Sequence, residues 1–186
     1  MIQRIYQIKR ALPELFELEQ LIDDGRQYMR VSVPTHIDQH DLKLPFYVLE
    51  MGSRAPLAPT LVLIGGIHGI ERIGSQVILS FLRTLLRRLR WDPVPHEQLS
   101  QIRLVIMPIV NPGGMWRNTR ANPNGVDLMR NAPIDAEHAT LMVGGQRLSP
   151  HLPWYRGRRD APMEAENQAL TDTIQQLLAN QKHCIS

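Results

Sequence analysis

The sequence has little of several features that would point to a particular class of protein. Cys184 is its only cysteine, so no disulfide can form within the chain, which suits a reducing compartment. No apolar run approaches the roughly 18 residues that a membrane-spanning helix needs, and residues 1–10 lack the apolar block of a signal peptide. A net charge of +3 gives no support for nucleic-acid or membrane binding. We therefore expect a soluble, cytoplasmic protein that binds neither nucleic acid nor membranes.

The length and composition are those of an ordinary globular protein. The chain has 186 residues, of which 43% are hydrophobic and 21% are charged. This length suffices for one well-buried core, and no repeat, low-complexity tract or linker divides the sequence. The sequence therefore predicts a single domain over residues 1–186.

The strongest local pattern is a helix between two strands. Apolar side chains recur on one face of residues 72–90, and arginines occupy much of the other face. The apolar runs at 61–64 and 102–110 have the length of buried strands. A strand, a long helix and a second strand form a βαβ unit, which implies parallel pairing. We therefore predict an α/β fold with a mixed, largely parallel twisted sheet that helices cover on both faces.

Two shorter helices are predicted from the same periodicity. Apolar side chains recur at helical spacing over residues 12–22, with Gly25 as a stop signal, and again over 164–179. Pro93 and Pro95 follow the long central helix and are expected to end it.

Two histidines lie in a polar segment between two further predicted strands. The strands are expected at residues 28–33 and 46–51, and the segment 34–43 joins them. His36 and His40 are four positions apart, which on a helix could place both imidazoles on one metal ion. The proline and aspartates of this segment favour a solvated turn instead. We therefore predict a turn here rather than a metal site.

The segment that organises the candidate site begins with the strand at 61–64. Gly65 and Gly66 follow it and allow a sharp turn or a close backbone approach, and His68 and Glu71 come next. In open α/β sheets ligands bind at the carboxyl ends of the strands, and a histidine with a carboxylate is a common zinc ligand pair. The alternative is a turn with a solvated glutamate and a hydrogen-bonded histidine. A second polar segment downstream favours the metal pair.

That second segment spans residues 111–131 and follows the last predicted strand of the βαβ unit. It is rich in glycine and asparagine and carries three arginines, Arg117, Arg120 and Arg130. Arginine suits bidentate capture of a carboxylate and stabilisation of an oxyanion. An alternative is an ordinary polar loop in which Asp127 pairs with Arg130 at the surface.

Taken together, these segments resemble the zinc carboxypeptidases of the carboxypeptidase A-like superfamily, which also contains bacterial murein-peptide amidases and acylamino-acid deacylases. The resemblance covers residues 45–186 and keeps the order of the family's motifs. The motifs are Gly-Ile-His-Gly-Ile-Glu at 66–71, Asn-Pro-Gly-Gly at 111–114, Gly-Val-Asp-Leu-Met-Arg-Asn at 125–131, and Tyr-Arg-Gly at 155–157 followed by Glu164 and Glu166. Each motif is weak by itself, whereas four in order are specific.

The resemblance implies one zinc ion with His68 and Glu71 as two of its protein ligands. In the family, the third ligand is a histidine just after a later strand, and the general-base glutamate lies further on. The sequence ends at Ser186, within what should be that strand, so the third ligand is expected beyond it. His183 stands before this strand and is not favoured as the ligand. We therefore expect the N-terminal part of a longer catalytic domain whose C-terminal part is missing.

The resemblance also assigns roles to the arginines. Arg120, or else Arg117, would polarise the carbonyl of the bond that is cleaved, and we favour Arg120. Arg130, with Asn131 beside it, would bind the free carboxylate of the substrate. Met129 departs from the family, which usually has an asparagine there, so carboxylate recognition is expected to be weaker or differently built.

Three functions remain open on the sequence alone. The favoured one is a zinc metallocarboxypeptidase that removes a C-terminal amino acid from a peptide by means of metal-activated water. The second is a zinc amidase or deacylase that acts on a small N-acyl amino acid or a murein peptide. The third is a non-catalytic truncated relative that serves as a binding module. We expect the 186-residue chain alone to hold zinc weakly and to lack peptidase activity, and its oligomeric state does not follow from the sequence.

Overall fold

The fold is that of a computed structural model, which describes residues 2–39, 41–132, 134, 149–151, 154–158 and 160–182. Helices and strands both occur along this part of the chain. In chain order the elements are α1 (Ile2–Ala11), α2 (Pro13–Gly25), β1 (Met29–Gln39), β2 (Leu42–Gly52), β3 (Thr60–Ile64), α3 (Ile73–Arg88), α4 (Pro93–Gln101), β4 (Arg103–Met107), α5 (Pro112–Arg117), a 3-10 turn (Leu128–Arg130) and α6 (Ala165–Lys182).

The strands of the described residues form one sheet in the order β1-β2-β4-β3. β3 and β4 run parallel, because the crossover through α3 and α4 returns the chain to the same end of the sheet. β1 pairs antiparallel with β2, and β2 pairs antiparallel with β4. The predicted mixed α/β architecture is confirmed, although the parallel share of the described pairings is smaller than expected. The antiparallel share is larger because β1 and β2 form a hairpin, whose short connection permits no crossover.

Helices cover both faces of the sheet, as predicted. On one face, side chains of α2 and α3 pack against Leu104 and Ile106 in one hydrophobic core. On the other face, Ala169 of α6 belongs to a second core that includes Val105. Neighbouring residues of β4 therefore point into opposite cores, as the pleat of a strand requires. Burial on both faces explains why this strand appears in the sequence as a continuous apolar run.

The polar segment 34–43 is not the solvated turn that the sequence predicted. β1 continues into it as far as Gln39, and after an irregularity between Ser32 and Thr35 residues 35–39 pair antiparallel with residues 42–46 of β2. Ile37 and Gln39 are buried, so pairing with the apolar β2 outweighs the local turn preference of the proline and aspartates. His36 lies exposed in β1 rather than on a helix, and His40 lies outside the described residues.

The predicted helices are confirmed as α2, α3 and α6, with ends within three residues of the expected limits. Three of the described helices, α1, α4 and α5, are additional to the prediction. α4 begins at Pro93 because the Asp92 side chain accepts a hydrogen bond from Val94 N and a proline at the first helical position loses no helical hydrogen bond. Among the described helices, none has both the length and the apolar character that crossing a membrane requires.

One edge of the described sheet carries exposed apolar side chains. β3 is the edge strand, and Leu61 and Ile64 on it are 49% and 37% exposed. On the neighbouring α3, Ile73, Val77 and Phe81 are exposed as well. Exposed apolar side chains along a strand edge that is unpaired within the described residues are typical of a surface that another element covers.

Candidate metal centre

The candidate site lies where β3 and β4 end. The backbone segments that follow the two strands are joined by hydrogen bonds from Val110 N to Gly65 O (3.0 Å) and from Asn111 N to Gly66 O (2.8 Å). Gly66 has a φ of 67°, a conformation that glycine adopts without strain. Because parallel strands end at the same edge of the sheet, the two polar segments that the sequence singled out are neighbours in the fold.

Asn111 holds this junction together. Its Oδ1 accepts a hydrogen bond from Gly114 N (2.7 Å) in α5, and its Nδ2 donates to Ile67 O (3.2 Å) in the turn that carries His68. The turn approaches α5 so closely that a Cβ on Gly69 would lie 2.0 Å from the carbonyl carbon of Gly114. This role of Asn111 was not predicted, although an asparagine directly before a proline is a signal for a helix cap.

His68 and Glu71 face each other. Nδ1 of His68 lies 3.1 Å from Oε2 of Glu71, and the imidazole is nearly buried whereas the carboxylate is half exposed. Zinc–ligand distances of about 2.0–2.1 Å place two tetrahedral donors about 3.4 Å apart, so this spacing fits a shared zinc ion. Within the described ranges, no group of three or more histidine, cysteine, aspartate or glutamate side chains could hold a metal. The described residues thus offer two ligands, and His183 lies outside them.

Asp127 orients the imidazole of His68. Its Oδ1 lies 3.2 Å from Nε2 of His68, and because a carboxylate only accepts, Nε2 carries the proton in this hydrogen bond. Nδ1 faces the Glu71 carboxylate and donates to it when protonated, and it can bind a metal once it has lost that proton. Asp127 is only 1% exposed, which corrects the alternative of a surface pair with Arg130. Its place inside the 125–131 motif was the signal that could have revealed it.

Arg120 closes the contacts among these side chains into a ring. Its Nε donates to Oδ2 of Asp127 (2.9 Å), and its Nη1 donates to Oε1 of Glu71 (3.0 Å). The backbone helps to place it, since Gly69 N donates to Arg120 O (3.4 Å). The guanidinium group therefore lies beside the candidate zinc ligands, between two carboxylates that it partly neutralises.

The ring holds the pKa of the Glu71 carboxyl below its ordinary value. The largest cause is the hydrogen bond with His68; desolvation opposes it, and the positive charges of His68 and Arg120 add to the lowering. A carboxylate must be deprotonated to bind a metal, so this environment favours the ligand form of Glu71.

The other two predicted arginines occupy different places. Arg117 donates from Nε to Oε1 of the buried Gln39 (2.9 Å) and from Nη1 to Pro123 O (2.8 Å), so its guanidinium is tied to β1 and to its own loop. Arg130 and Met129 lie exposed on the 3-10 turn. Arg130 is thus accessible to a ligand, whereas Arg117 is occupied by protein groups.

Asn131 is used inside the protein. Its Nδ2 donates to Arg156 O (2.8 Å), and its Oδ1 accepts from Glu164 N (2.8 Å) and from Asn167 Nδ2 (3.3 Å). Asn131 thus joins the 3-10 turn to the segment before α6. The motif at 125–131 and the motif that begins at 155–157 are neighbours in the fold for this reason.

A second polar cluster connects the arginine loop to α6. Nδ2 of Asn122 donates to Oε2 of Glu164 (2.8 Å) and lies 3.3 Å from both carboxylate oxygens of Glu166. Burial raises the pKa of the Glu166 carboxyl, and the negative charge of Glu164 adds to the rise, whereas hydrogen bonds from its own backbone N–H and from Asn122 oppose it.

A cavity of about 550 Å³ opens beside Arg120. Arg120 and Asp127 line it together with apolar neighbours such as Pro123 and Trp154 and with polar ones that include Arg117. Because the cavity shares two residues with the ring, it offers a place for part of a substrate bound at the candidate metal centre.

Comparison with known proteins identifies the family of the chain. A family model described as zinc carboxypeptidase matches residues 35–185. The chain therefore belongs to the zinc carboxypeptidase family. The matched range includes His68, Glu71 and the whole 111–131 segment.

Relatives with curated descriptions are carboxypeptidases. Carboxypeptidase E of Caenorhabditis elegans is 34% identical in an alignment of length 115 that covers 54% of this chain and 24% of that protein. Carboxypeptidase SOL1 of Arabidopsis thaliana is 32% identical in an alignment of length 92 that covers 48% of this chain and 19% of that protein. The match thus spans a quarter or less of the length of these two relatives.

Solved structures share the fold. A metallo-carboxypeptidase from Burkholderia cenocepacia superposes with a TM-score of 0.59 at 19% identity, over 84% of this chain and 36% of that chain. Bovine thrombin-activatable fibrinolysis inhibitor, solved in complex with tick carboxypeptidase inhibitor, gives a TM-score of 0.60 at 20% identity, over 87% and 54%. The chain therefore has a metallocarboxypeptidase fold and corresponds to about a third to a half of these structures.

Proposed function

We propose that this chain is part of a zinc-dependent hydrolase of the metallocarboxypeptidase type, which cleaves a C-terminal amino acid from a peptide. One observation carries the proposal, the ring formed by His68, Glu71, Asp127 and Arg120. It combines two zinc donors 3.1 Å apart, a carboxylate that orients the histidine, and a guanidinium at the same point. Membership of the zinc carboxypeptidase family supports the reaction class.

His68 and Glu71 are the residues that would hold the metal. A zinc ion bound by them would supply Lewis-acid polarisation of a carbonyl group and an activated water molecule near neutral pH. Asp127 prepares the pair by holding the Nε2 proton of His68, so that Nδ1 is turned toward Glu71.

Arg120 would stabilise the oxyanion that develops when the substrate carbonyl is attacked. Its side chain is anchored by Asp127 and remains 33% exposed, so a substrate can reach it. Loss of one such donor typically costs about 2.7–4 kcal/mol of transition-state stabilisation. Arg130 would bind the free carboxylate of the substrate, and Asn131 would act at the same subsite by holding the turn that carries Arg130.

The third zinc ligand and the general base would come from outside the described residues. The chain covers only 36% and 54% of the two solved relatives, and the edge of β3 is exposed and apolar. We propose that these residues form the N-terminal part of a longer catalytic domain. Further strands would then extend the sheet from β3 and cover Leu61 and Ile64.

A second candidate function is a zinc amidase or deacylase of small N-acyl amino acids or murein peptides. Met129 favours it, because this side chain is 56% exposed beside Arg130 and provides no strong hydrogen-bonding group for a terminal carboxylate. A third possibility is a relative without activity that binds peptides.

Assays of the complete protein separate these functions. With zinc bound, a carboxypeptidase releases the last residue of a peptide with a free C-terminus and leaves the C-terminally amidated peptide intact. A deacylase instead hydrolyses N-acyl amino acids, and a binding module hydrolyses neither. For the 186-residue chain alone, metal analysis should find less than stoichiometric zinc. Tight one-to-one zinc would contradict the two-ligand assignment.

We also propose a cytoplasmic location. The support is the cysteine content. Cys184 is the single cysteine of the 186 residues, so no disulfide within this chain calls for an oxidising compartment. Cell fractionation tests this, and recovery of the protein from an extracytoplasmic fraction would refute it.

A further inference from the structure

A cluster of arginines lies at the end of the sheet opposite the candidate metal centre. Arg30 is the second residue of β1, Arg103 is the first residue of β4, and Arg54 follows the end of β2. The antiparallel registers bring these positions together, because Arg30 pairs with Glu50 and Gly52 pairs with Arg103. Side chains from three separate parts of the sequence thus meet at one end of the strands.

These arginines line two adjoining cavities. One cavity has a volume of about 320 Å³ and the other about 350 Å³, and Arg30, Arg54 and Arg103 line both. Arg26 also lines the first cavity, and α6 contributes to the wall of the second. Among the described residues that line either cavity, Glu50 is the only one with a carboxylate. The positive charge is therefore concentrated in a concave surface rather than spread over a convex one.

Two of the guanidinium groups are left without an acidic partner. Arg30 donates to Glu50 (2.7 Å), and Arg26 donates to a carboxylate of α2 outside the cavity. Arg103 donates only to the backbone carbonyls of Ser53 and Arg54, each at 3.4 Å, and over the described ranges no carboxylate pairs with Arg54 or Arg103. Long contacts to carbonyls leave most of the hydrogen-bonding capacity of the Arg103 group unused.

A second arginine-rich cavity has no such excess of positive charge. Between α2 and α3, a cavity of about 490 Å³ is lined by three arginines and also by three acidic side chains. Arg83 pairs with Glu17 there, and Arg90 lies 3.8 Å from Asp24. The charges of that cavity balance, whereas those of the cluster at Arg30, Arg54 and Arg103 do not.

We propose that the cavities at Arg30, Arg54 and Arg103 form a binding site for a phosphate-type oxyanion, such as a phosphate monoester or a pyrophosphate. The planar fork of an arginine matches two oxygens of a phosphate group, and such charge-assisted pairs are stronger than neutral hydrogen bonds. The volume suits a phosphate group and a small part of the molecule that carries it. The site is independent of the proposed hydrolase function, because it lies at the other end of the strands.

Calorimetric titration of the metal-free 186-residue chain tests the proposal. Inorganic phosphate and pyrophosphate are the two probes, and chloride keeps the ionic strength constant. We expect saturable one-to-one binding of pyrophosphate with a dissociation constant below about 1 mM, and weaker binding of phosphate. The absence of saturable binding of both anions would overturn the proposal.

Variants distinguish a site from general charge attraction. The double variant Arg54→Ala/Arg103→Ala should weaken pyrophosphate binding at least about tenfold, and Glu50→Gln should strengthen it. Arg87→Ala, an exposed arginine of the balanced cavity, should leave binding unchanged. Equal weakening by Arg87→Ala would show general attraction and refute the site. If circular dichroism shows that the double variant is unfolded, the outcome for Glu50→Gln decides.

Discussion

Nε2 of His68 lies 3.2 Å from Oδ1 of Asp127, although 59 residues separate the two in the chain. The same carboxylate also accepts from Met129 N (3.0 Å) and from Nε of Arg120, so its position is fixed from several sides. A histidine held in this way presents a defined nitrogen to a metal. The His-x-x-Glu motif is therefore oriented by a residue from a different part of the sequence.

Removal of the Asp127 carboxylate should weaken zinc binding. Asp127→Asn keeps the shape of the side chain but loses its charge, and we expect zinc affinity of the complete protein to fall by about 10–100-fold. Competition with a chelator measures this. Asp23→Asn, an exposed aspartate on α2, is the control and should leave zinc affinity unchanged. A folded Asp127→Asn variant with normal zinc affinity would contradict the orienting role.

Alanine substitutions of Arg120 and Arg117 should differ in their effect on kcat. Arg120 lies at the candidate zinc ligands, whereas Arg117 is bound to Gln39 and Pro123. Arg120→Ala in the complete protein should lower kcat by about 10²–10³-fold with little change in KM. Arg117→Ala is the matched control, with a much smaller effect on kcat. The reverse order would transfer the carbonyl-polarising role to Arg117.

The Arg72–Glu14 pair should contribute to the stability of the fold. Nη1 of Arg72 lies 2.7 Å from the nearly buried Glu14 carboxylate, and its Nη2 donates to Met115 O (2.5 Å). Arg72→Ala leaves Glu14 without its charged partner and should lower the free energy of unfolding by about 2 kcal/mol. Urea denaturation measures this, with Arg87→Ala as a control expected within about 0.5 kcal/mol of the unchanged protein. Equal stability of the two variants would argue against the pair.

Substitution by alanine should change the stability of the fold in opposite directions at Gly69 and Gly74. A Cβ at Gly69 would clash with the backbone of Gly114, so Gly69→Ala should destabilise the fold by about 1–3 kcal/mol. A Cβ at Gly74, in α3, meets nothing closer than 3.9 Å, so Gly74→Ala should stabilise by about 0.5 kcal/mol. Thermal unfolding of both variants checks this. A Gly69→Ala variant as stable as the unchanged chain would show that the turn and α5 are not in close contact.

Glu166 should make stability depend on pH. Burial raises its folded-state pKa above the ordinary 4.5, so the folded state favours the protonated form. The free energy of unfolding therefore falls as pH rises from 4.5 through the raised folded-state pKa, and the full loss is reached above that value. Glu166→Gln stays neutral, so it should be more stable than the unchanged chain at pH 7.5, and the difference should vanish near pH 4.

Thermal unfolding at both pH values measures this difference. The exposed Glu97→Gln is the control and should show no such pH-dependent difference. A Glu166→Gln variant that is less stable at pH 7.5 would show that the hydrogen bonds of the ionised carboxylate outweigh its desolvation.

Much of the fold followed from local patterns. Periodicity placed α3 within two residues of its ends, and the apolar runs placed β3 and β4. The segment 34–43 was assigned wrongly because its proline and aspartates favour a turn in isolation. In the fold, hairpin pairing of residues 35–39 with residues 42–46 and the burial of Ile37 and Gln39 keep it extended. α4 was missed because Pro93 was interpreted only as a stop signal for α3, which ends at Arg88, whereas this proline begins the next helix.

The sequence by itself determined the family and the identity of the polar residues in the two segments, His68 and Glu71 in one and the arginines in the other. These depend on residue types at fixed local spacing, which a linear pattern records. Only the tertiary structure decided that Asp127 turns toward His68, that Arg120 rather than Arg117 reaches Glu71, and that Arg54 joins Arg103 in a cavity. Such contacts depend on strand order and register, because these bring together residues about 50 positions apart, and no local spacing specifies which distant partner a side chain will meet.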